Sequence, residues 1–357
     1  MKVCIIGGGL ASLSLAKALI NKGIYVDIFI DQKKNKLSRT RTIGLSKSNI
    51  EFFNKNILNI EKFLWNINKI EIFSENLNSE KLLHFKNKNQ RLFSVIKNYQ
   101  LNKYLITKLK RNKFLKFKKK IENYNLIKDK YNLIVNCEYN NQITKKYFYK
   151  KFTKDYRSYA YTAVIRHKKI MNNQTAIQTF TKNGPIAFLP ISDEETSIVY
   201  SLKKKKILEV ENLIKKYNTK YKIINIKDIC EFELKSSDLR LYHHKNILAF
   251  GDLLHKIHPL AGQGFNMTIR DIKELLNLID LRIDNGLDLD SSICSDFENQ
   301  NRHKNFIFTN GIDFIHEFFK FESKTKNNIL SKSVKLLGNN KFANKFLTKL
   351  ADTGIII

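Results

Sequence analysis

The first thirty residues alternate between apolar runs and glycine, and this pattern constrains the fold more than any other feature of the chain. Lys2–Ile6 is a short β-branched run that is typical of a buried strand, and three glycines end it. Leu10–Asn21 then carries Leu, Ala and Ile at helical spacing, Gly23 ends the helix, and Tyr25–Ile30 is a second strand-like run. A strand, a glycine turn, a helix and a second strand form one βαβ unit, which predicts a parallel sheet.

The glycines of this turn have the spacing of a dinucleotide-binding fingerprint, because Gly7 and Gly9 are followed by Ser12. The first glycine permits the tight turn, the second lets the backbone approach a pyrophosphate, and the N–H groups at the helix start face that anion. Ser12 stands where glycine or alanine is usual, and Asp31 is the candidate acid for a ribose hydroxyl. The pattern predicts a nucleotide site, and a glycine turn without a ligand is the alternative.

A second glycine-rich segment follows a strand-like run at residues 246–250 and precedes a long amphipathic helix predicted over residues 265–283. Asp252, at the end of that strand, is placed to accept hydrogen bonds from the hydroxyls of a sugar-like chain. Gly262 and Gly264 let the backbone lie close against a flat ring, and the helix start offers N–H donors to negative charge. The segment is therefore predicted to contribute to the same nucleotide site.

The histidines of this region allow a competing interpretation as a metal site. The candidate ligands are Asp252, His255 and His258, with His243 and His244 nearby in the sequence. Pro259 and the paired glycines instead favour a shaped loop over a helix that carries ligands. We therefore predict no metal site and a structural role for the histidines.

The middle of the chain has the pattern of an antiparallel sheet. Strand-length segments separated by polar turns lie at residues 159–166, 175–180, 186–191 and 196–202, and residues 67–73 alternate like a half-buried strand. The α/β sequence is thus interrupted by an inserted sheet. The predicted division assigns residues 1–66, 97–150 and 241–295 to the α/β domain, residues 67–96 and 151–240 to the inserted domain, and residues 296–357 to a helical, lysine-rich C-terminal region.

Composition excludes several classes of protein. Of the 357 residues 43% are hydrophobic, which suffices for a core, and the four cysteines are too far apart for a disulfide framework. They predict reduced thiols in a cytoplasm-like compartment. No run of about 18 apolar residues predicts a membrane-spanning helix. The net charge of +31 favours an anionic partner, either nucleic acid or phospholipid, or else a lysine-rich solvated surface without a specific partner.

Three segments resemble the FAD-dependent aromatic hydroxylases. They are GGGLAS at residues 7–12, RTIGLS at residues 41–46, and GDLLHKIHPLAGQGFNMTIRD at residues 251–271. The segment NGPIAFLPISDEETSIVYS at residues 183–201 is similar to the ubiquinone-biosynthesis branch of that family. The similarity extends over about residues 1–319. The chain is thus identified as resembling a class A flavoprotein monooxygenase.

The resemblance implies a Rossmann-like FAD-binding domain of the p-hydroxybenzoate hydroxylase type, with an inserted antiparallel-sheet substrate domain and a helical C-terminus. It also implies which residues contact FAD: the ADP part by Gly7, Gly9 and Asp31, the ribityl chain by Asp252, and the isoalloxazine by the loop from Pro259 to Gly264 with Asn266 and Arg41. The predicted cofactor-binding set also includes Ser12 and Gly251, and within the loop it includes Gly262, Gln263 and Gly264.

The implied activity is hydroxylation of the ring of a polyprenylated phenol in ubiquinone biosynthesis. O₂ is the cosubstrate, a flavin C4a-hydroperoxide the oxidant, and NAD(P)H or another donor the reductant; no catalytic acid or base is predicted. Another FAD oxidoreductase of this fold, such as a polyprenyl reductase, and a non-catalytic flavin-binding scaffold are the alternatives. The predicted location is the cytoplasm, in peripheral contact with the inner face of an anionic membrane and with other ubiquinone-biosynthesis proteins, and no nucleic acid is expected as a partner.

One segment departs from the family pattern. The family usually has an acidic residue and a glycine after the strand-like run at residues 131–136, and Cys137, Glu138 and Tyr139 stand there in this chain. The glycine is therefore lost and the acid is longer by one methylene. Because that stretch is associated with flavin and pyridine-nucleotide contact in the family, slow reduction by NADPH is predicted. The alternative is that shifts of the neighbouring backbone compensate and NADPH reduces the flavin normally.

Overall fold

The computed structural model describes residues 1–31, 38–75, 81–86, 91–119, 129–258 and 262–325, with residues 121, 127, 332, 348–349 and 352–354. In chain order the strands are β1 (Lys2–Ile6), β2 (Tyr25–Ile30), β3 (Thr42–Ser46), β4 (Trp65–Ile67), β5 (Lys69–Ser74), β6 (Lys81–Lys86), β7 (Phe93–Lys97), β8 (Leu115–Lys119), β9 (Leu133–Asn136), β10 (Lys151–His167), β11 (Thr175–Thr181), β12 (Gly184–Pro190), β13 (Glu195–Leu202), β14 (Ile223–Leu239), β15 (His243–His244), β16 (Ile247–Ala249) and β17 (His255–Lys256). The helices are α1 (Leu10–Asn21), α2 (Lys47–Asn56), α3 (Asn98–Lys110), α4 (Gln142–Tyr147), α5 (Ile207–Tyr217), α6 (Gln263–Asp284) and α7 (Ser292–Thr325).

The first sheet is the α/β core, with the strand order β15-β16-β9-β1-β2-β8. All its pairs are parallel except β15 with β16. The strands β1 and β9 are buried along nearly their whole length, as expected for a parallel sheet that is covered by helices on both faces. The predicted βαβ unit is confirmed, and α1 begins and ends at the predicted residues.

The second sheet has eight strands in the order β17-β14-β10-β13-β12-β11-β5-β6. The predicted meander is confirmed by the antiparallel pairs of β10 with β13, β13 with β12, and β12 with β11. One pair differs from the expectation, because β5 runs parallel to β11. The strand β5 comes from a much earlier part of the chain, so no tight turn fixes its direction relative to β11.

Two features of this sheet were not predicted. The run at residues 67–73 is divided between β4 and β5, which lie in different sheets. The 17-residue strand β14 pairs along β10 with several register shifts. All of the first eleven residues of β14 are at least partly exposed, so the strand lacks the buried apolar run by which the other strands of the sheet were recognised.

The third sheet has the order β4-β7-β3, with both pairs antiparallel. Its strand β3 contains the RTIGLS segment except Arg41. The helix α6 packs against α1, α2 and β3, and α7 packs against α6, so the predicted helical C-terminus is confirmed as far as Thr325. Most of residues 326–357 lies outside the described residues. The α/β fold with an inserted, largely antiparallel sheet is also confirmed. Within the described residues, no helix is both long and apolar enough to span a membrane.

Candidate functional site

A cavity of about 810 Å³ is lined both by the glycine-rich segments and by the eight-stranded sheet. Nine of the predicted cofactor-binding residues line it: Gly7, Gly9, Ser12, Arg41, Asp252, Gly262, Gln263, Gly264 and Asn266. Gly251 and Asp31 are outside its lining; Asp31 directly follows β2 at the carboxyl end of the parallel sheet. Pro259 lies outside the described residues. The structure therefore brings together two segments that are more than two hundred residues apart in the sequence.

The start of α1 is open toward the cavity. Gly7 has φ +132°, and a Cβ added there would lie 2.8 Å from Ser12 Oγ, so a larger residue would displace the turn. Gly9 caps the helix without a side-chain hydrogen bond, and the first turn of α1 contains no acidic residue. No described atom lies within 4 Å of a Cβ added at Gly9. The free N–H groups and the open space fit an anionic group such as a pyrophosphate.

The turn that follows β16 packs directly on this helix start. Gly251 has φ +63°, and a Cβ added there would lie 2.6 Å from the Cβ of Ala11, so only glycine allows this approach. The next residue, Asp252, is exposed and lines the cavity. Among the described residues, none has a hydrogen bond to its carboxylate. This carboxylate can therefore accept hydrogen bonds from ligand hydroxyls, as the sequence predicts.

Asn266 uses its whole side-chain amide within the protein. Its Nδ2 donates to the carbonyl oxygens of Gly44 at 2.9 Å and Gly262 at 3.3 Å. Its Oδ1 accepts from the Ser46 N–H at 3.0 Å and from Asn49 Nδ2 at 2.9 Å. These bonds join the RTIGLS segment on β3 to the start of α6. The arrangement supports a positioning role for Asn266, which the sequence assigned to a direct flavin contact.

Two further predicted residues have distinct environments at the cavity. Arg41 is exposed, and its guanidinium carbon lies 5.8 Å from the centre of the Phe232 ring. Gln263 is buried and accepts a hydrogen bond from Arg270 at 3.0 Å. Arg41 can therefore present its positive charge to a ligand, whereas Gln263 is held by a neighbouring side chain on the same helix.

A buried polar cluster beside the cavity was not predicted as a unit. His255 Nε2 is hydrogen bonded to Asp271 Oδ2, and both side chains are almost fully buried. Burial is the largest effect and opposes the charged form of His255, but the carboxylates of Asp271, Asp238 and Asp252 together outweigh it and raise the pKa of His255. Burial raises the pKa of Asp238 to about 6, an effect that His255 opposes and Asp271 reinforces. The sequence near Asp238 contains no signal that it belongs to a buried cluster. For Asp271 the one such signal is its position on the apolar face of α6.

The histidines considered as metal ligands have separate protein partners. His243 Nδ1 lies 2.9 Å from Glu298 Oε2, and the ring of His244 stacks on Tyr147 at 4.0 Å. His255 contacts Asp271, and the ring of His258 packs edge-on against that of Tyr156 at 4.9 Å. Across the part of the chain that the structure describes, no group of three or more His, Cys, Asp or Glu is arranged to hold a metal ion.

The segment that departs from the family pattern also adjoins the cavity. Glu138 and Cys137 line it, and Glu138 Oε1 would lie 3.5 Å from a Cβ added at Gly7. Burial raises the pKa of the Cys137 thiol to about 12, so this group stays neutral. The Tyr139 hydroxyl is hydrogen bonded to Ser237, and Lys151 Nζ lies 4.5 Å from the centre of its ring. Tyr139 is thus fixed between the α/β core and β14.

The rest of the cavity is predominantly apolar. Side chains from β5, β6, β11 and β12 line it, including Ile70, Ile72, Leu83, Phe180, Ile186 and Leu189. Phe314, Ile315 and Phe318 of α7 also contribute to the lining. A site with charged and glycine-rich walls on one side and an apolar wall on the other can hold a polar cofactor beside an apolar substrate.

No family model matches the chain. The mitochondrial ubiquinone biosynthesis monooxygenase COQ6 of Schizosaccharomyces pombe is 22% identical to it over 273 residues, which cover 62% of this chain and 57% of that protein. The chain thus spans little more than half the length of this relative. The predicted resemblance to the ubiquinone-biosynthesis hydroxylases is confirmed by this similarity.

Solved structures match over nearly the whole chain. The crystal structure of p-nitrophenol 4-monooxygenase PnpA from Pseudomonas putida has a TM-score of 0.79 at 11% identity and covers 99% of this chain and 98% of that one. The structure of Klebsiella pneumoniae HpxO complexed with FAD and uric acid has a TM-score of 0.75 at 11% identity and covers 99% and 97%. At such identities the likeness establishes the fold alone. The fold of this chain is therefore that of the FAD-dependent monooxygenases.

Proposed function

We propose that this protein binds FAD and hydroxylates the aromatic ring of a polyprenylated phenol in ubiquinone biosynthesis. The observation that carries the proposal is the composite cavity, in which dinucleotide-type glycine turns and an apolar sheet face line one space. The similarity to a ubiquinone biosynthesis monooxygenase and the fold shared with a p-nitrophenol monooxygenase support the same chemistry. O₂ is the proposed cosubstrate, and NAD(P)H or another donor is the proposed reductant.

The described residues offer partners for four parts of FAD. The start of α1 at Gly9 would receive the pyrophosphate, because its N–H groups are uncapped and its surroundings are open. Asp31 would accept a ribose hydroxyl, and Asp252 would accept hydroxyls of the ribityl chain. The backbone at Gly262 and Gly264 would lie against the isoalloxazine ring.

The bound flavin supplies the reaction with O₂, and the protein residues supply orientation and a dry environment. Apolar side chains such as Ile72, Ile186 and Leu189 exclude water from the space beside the ring site. Arg41 places a positive charge at the same cavity, where it can stabilise an ionised phenol. Asn266 joins β3 to the start of α6, and so fixes the positions of these two walls of the ring site relative to each other.

Because the proposed substrate is lipophilic, the proposal includes peripheral contact of the protein with an anionic membrane. It also includes contact with other proteins of the same biosynthetic route. The net charge of +31 supports attraction to an anionic surface.

Product analysis tests the proposal. The protein would be expressed in cells that lack one ring-hydroxylation step at a time, and the quinone intermediates would be identified by mass spectrometry. Restoration of one hydroxylated product by the wild type, its loss in Asp252→Asn, and its retention in the exposed control Asp284→Asn are expected. Flavin binding without restoration of any step would point to the scaffold function, and a reduced prenyl tail would point to a reductase.

A further inference from the structure

One face of the eight-stranded sheet is turned toward the cavity, and a single polar side chain stands in the apolar part of that face. Along β5, β6, β11 and β12, lining residues recur at every second position, as expected for one face of a sheet. They are Ile70 and Ile72, Leu83 and Phe85, Ala176, Gln178 and Phe180, and Pro185, Ala187 and Leu189. Ile177 and Ile186 also line the cavity and belong to the core cluster of the other face. Among the described residues of these four strands, Gln178 is the only polar one in the lining.

The neighbours of Gln178 in the sheet are apolar on both sides. It pairs with Ile72 on β5 and with Ala187 on β12. The next residues outward in the same row are Leu83 on β6 and Val199 on β13. Side chains directly opposite each other on adjacent strands lie about 5 Å apart, so these neighbours flank Gln178 without offering it a polar group. Ala187 contributes only a methyl group, which leaves the Gln178 amide open to the cavity.

The side-chain amide of Gln178 has no hydrogen-bond partner within the described residues. The residue is half-buried, and its amide carries two donor hydrogens and one acceptor oxygen. Water can satisfy these groups while the cavity is wet. When an apolar ligand displaces that water, an amide left unpaired would weaken binding, because removal of a polar group from water is unfavourable without a new hydrogen bond. A ligand that fits this wall therefore needs a polar group of its own at Gln178.

We propose that Gln178 is a specificity-determining residue that hydrogen bonds an oxygen substituent, a hydroxyl or an alkoxyl group, on the aromatic ring of the substrate. A prenyl tail is a hydrocarbon and cannot pair with the amide, so the partner comes from the ring. Arg41 is the proposed contact of the ionised phenol oxygen, and a second contact at Gln178 would fix the rotation of the ring. The two contacts together would decide which ring carbon faces the flavin. The inference rests on the proposed function and names the class of ring that the site selects.

Titration calorimetry of the full chain with bound FAD tests this contact. The ligands are a phenol with a short prenyl chain and its analogues in which one further ring hydrogen, at each free position in turn, is replaced by hydroxyl, methoxyl or methyl. At one ring position the wild type should bind the hydroxyl or methoxyl analogue at least about tenfold more tightly than the methyl analogue, because methyl fills the same space and leaves the amide unpaired.

Two variants separate the amide from the rest of the wall. Gln178→Met keeps the length of the side chain and removes the amide, so the preference for the oxygen analogue should disappear. Gln300→Met is the matched control, because Gln300 is exposed on α7 and outside the cavity lining, and this variant should keep the preference. Without ligand, Gln178→Met should unfold at the same temperature as the wild type or at a higher one, because no bond within the described protein is lost.

Three results would overturn the assignment of Gln178. They are equal wild-type affinity for the oxygen and methyl analogues at every ring position, a preference that survives in Gln178→Met, and a lower unfolding temperature of Gln178→Met, which would reveal a structural partner of the amide. The comparison of analogues on the wild type needs no variant to fold. If no phenol binds at all, the proposed function fails together with this inference, whereas binding without any preference contradicts this inference alone.

Discussion

His255 and Asp271 form a buried hydrogen-bonded pair that ties β17 to α6 beside the cavity. The pair is not isolated, because Asn305 on α7 donates to the second oxygen of Asp271 at 3.2 Å, and the backbone of His255 pairs with that of Asp238. Three structural units therefore meet at two side chains: the inserted sheet, the α/β core and the C-terminal helix.

We expect Asp271→Asn to destabilise the protein. Removing one partner of a buried ion pair costs about 3–5 kcal/mol, and His255 can lower this cost by losing its proton, so a decrease of about 3 kcal/mol in the free energy of unfolding is expected. The control is Asp280→Asn, which breaks the partly exposed pair with Lys22 and should cost at most about 1 kcal/mol. Urea denaturation measures both variants. Equal effects of the two substitutions would contradict the structural role of the buried pair.

Asp238 should make the stability depend on pH. Its pKa is raised from 3.8 to about 6 in the folded state, so the unfolded chain releases this proton at lower pH than the folded protein does. The free energy of unfolding therefore falls as the pH rises through this window. A difference of about two pKa units corresponds to about 3 kcal/mol.

We therefore expect Asp238→Asn to be more stable than the wild type by up to about 3 kcal/mol at about pH 7.5, and similar to it at about pH 4. The raised pKa of His255 acts in the same direction, since its contribution is present at low pH and is lost as the pH rises through the folded-state value. Denaturation curves across this range, with Asp284→Asn as the exposed control, measure the effect. A difference that does not change with pH would refute the assignment.

The purified protein should be yellow and should release FAD on denaturation, and Gly9→Leu should abolish this binding. The backbone at Gly9 has φ −79°, which any residue adopts, so the loss would come from a side chain that occupies the space for the pyrophosphate. Gly311→Leu is the matched control, because a Cβ added there also meets no described atom within 4 Å. Absorbance and released FAD measure occupancy. Full FAD occupancy in the Gly9→Leu protein would contradict the cofactor assignment.

Asn266→Asp should weaken both the fold and flavin binding. The substitution keeps the shape but replaces the Nδ2 donor by an oxygen that faces the carbonyls of Gly44 and Gly262. A buried charge with unsatisfied neighbours is expected to cost about 2–4 kcal/mol. Asn285→Asp, at the exposed end of α6, is the control. Thermal unfolding and FAD titration measure the two effects, and unchanged FAD affinity in a destabilised protein would limit Asn266 to a purely structural role.

NADPH should reduce the flavin slowly, even with substrate present. Tyr139 stands where the family has glycine, and its hydroxyl bond to Ser237 holds the ring in place. The longer side chain of Glu138 would lose one charge-assisted hydrogen bond. This loss would raise the activation free energy of flavin reduction by about 1.5–3 kcal/mol, which slows the reduction roughly ten- to a hundredfold. Anaerobic stopped-flow absorbance measures the reduction.

Tyr139→Gly with Glu138→Asp should accelerate this reduction, whereas Tyr139→Phe, which keeps the ring and removes only the hydroxyl, should remain as slow as the wild type. Rapid bleaching of the wild-type flavin by NADPH would show that the backbone compensates for the departure and would refute the prediction.

The sequence by itself determined those features that depend on neighbouring residues. The bounds of α1, the strands β1 and β2 and the meander follow from apolar spacing and glycine, and these signals lie within a few residues of the structure they specify. The Asp252 and Gly262 segments were likewise recognisable, because a tight approach of backbone to backbone or ligand requires glycine at particular positions.

Only the tertiary structure decided which distant residues meet. Asn266 bonds to Gly44 and Ser46, and Asp271 bonds to His255 and Asn305, although nothing in the sequence near either residue names its partners. The apolar residues of α7 show the same limit. Phe306 and Phe308 are the same residue type on the same helix, and only the tertiary packing buries Phe308 and leaves Phe306 exposed. The physical reason is that local spacing selects helices, strands and turns, whereas pairing and burial depend on which completed surfaces come together.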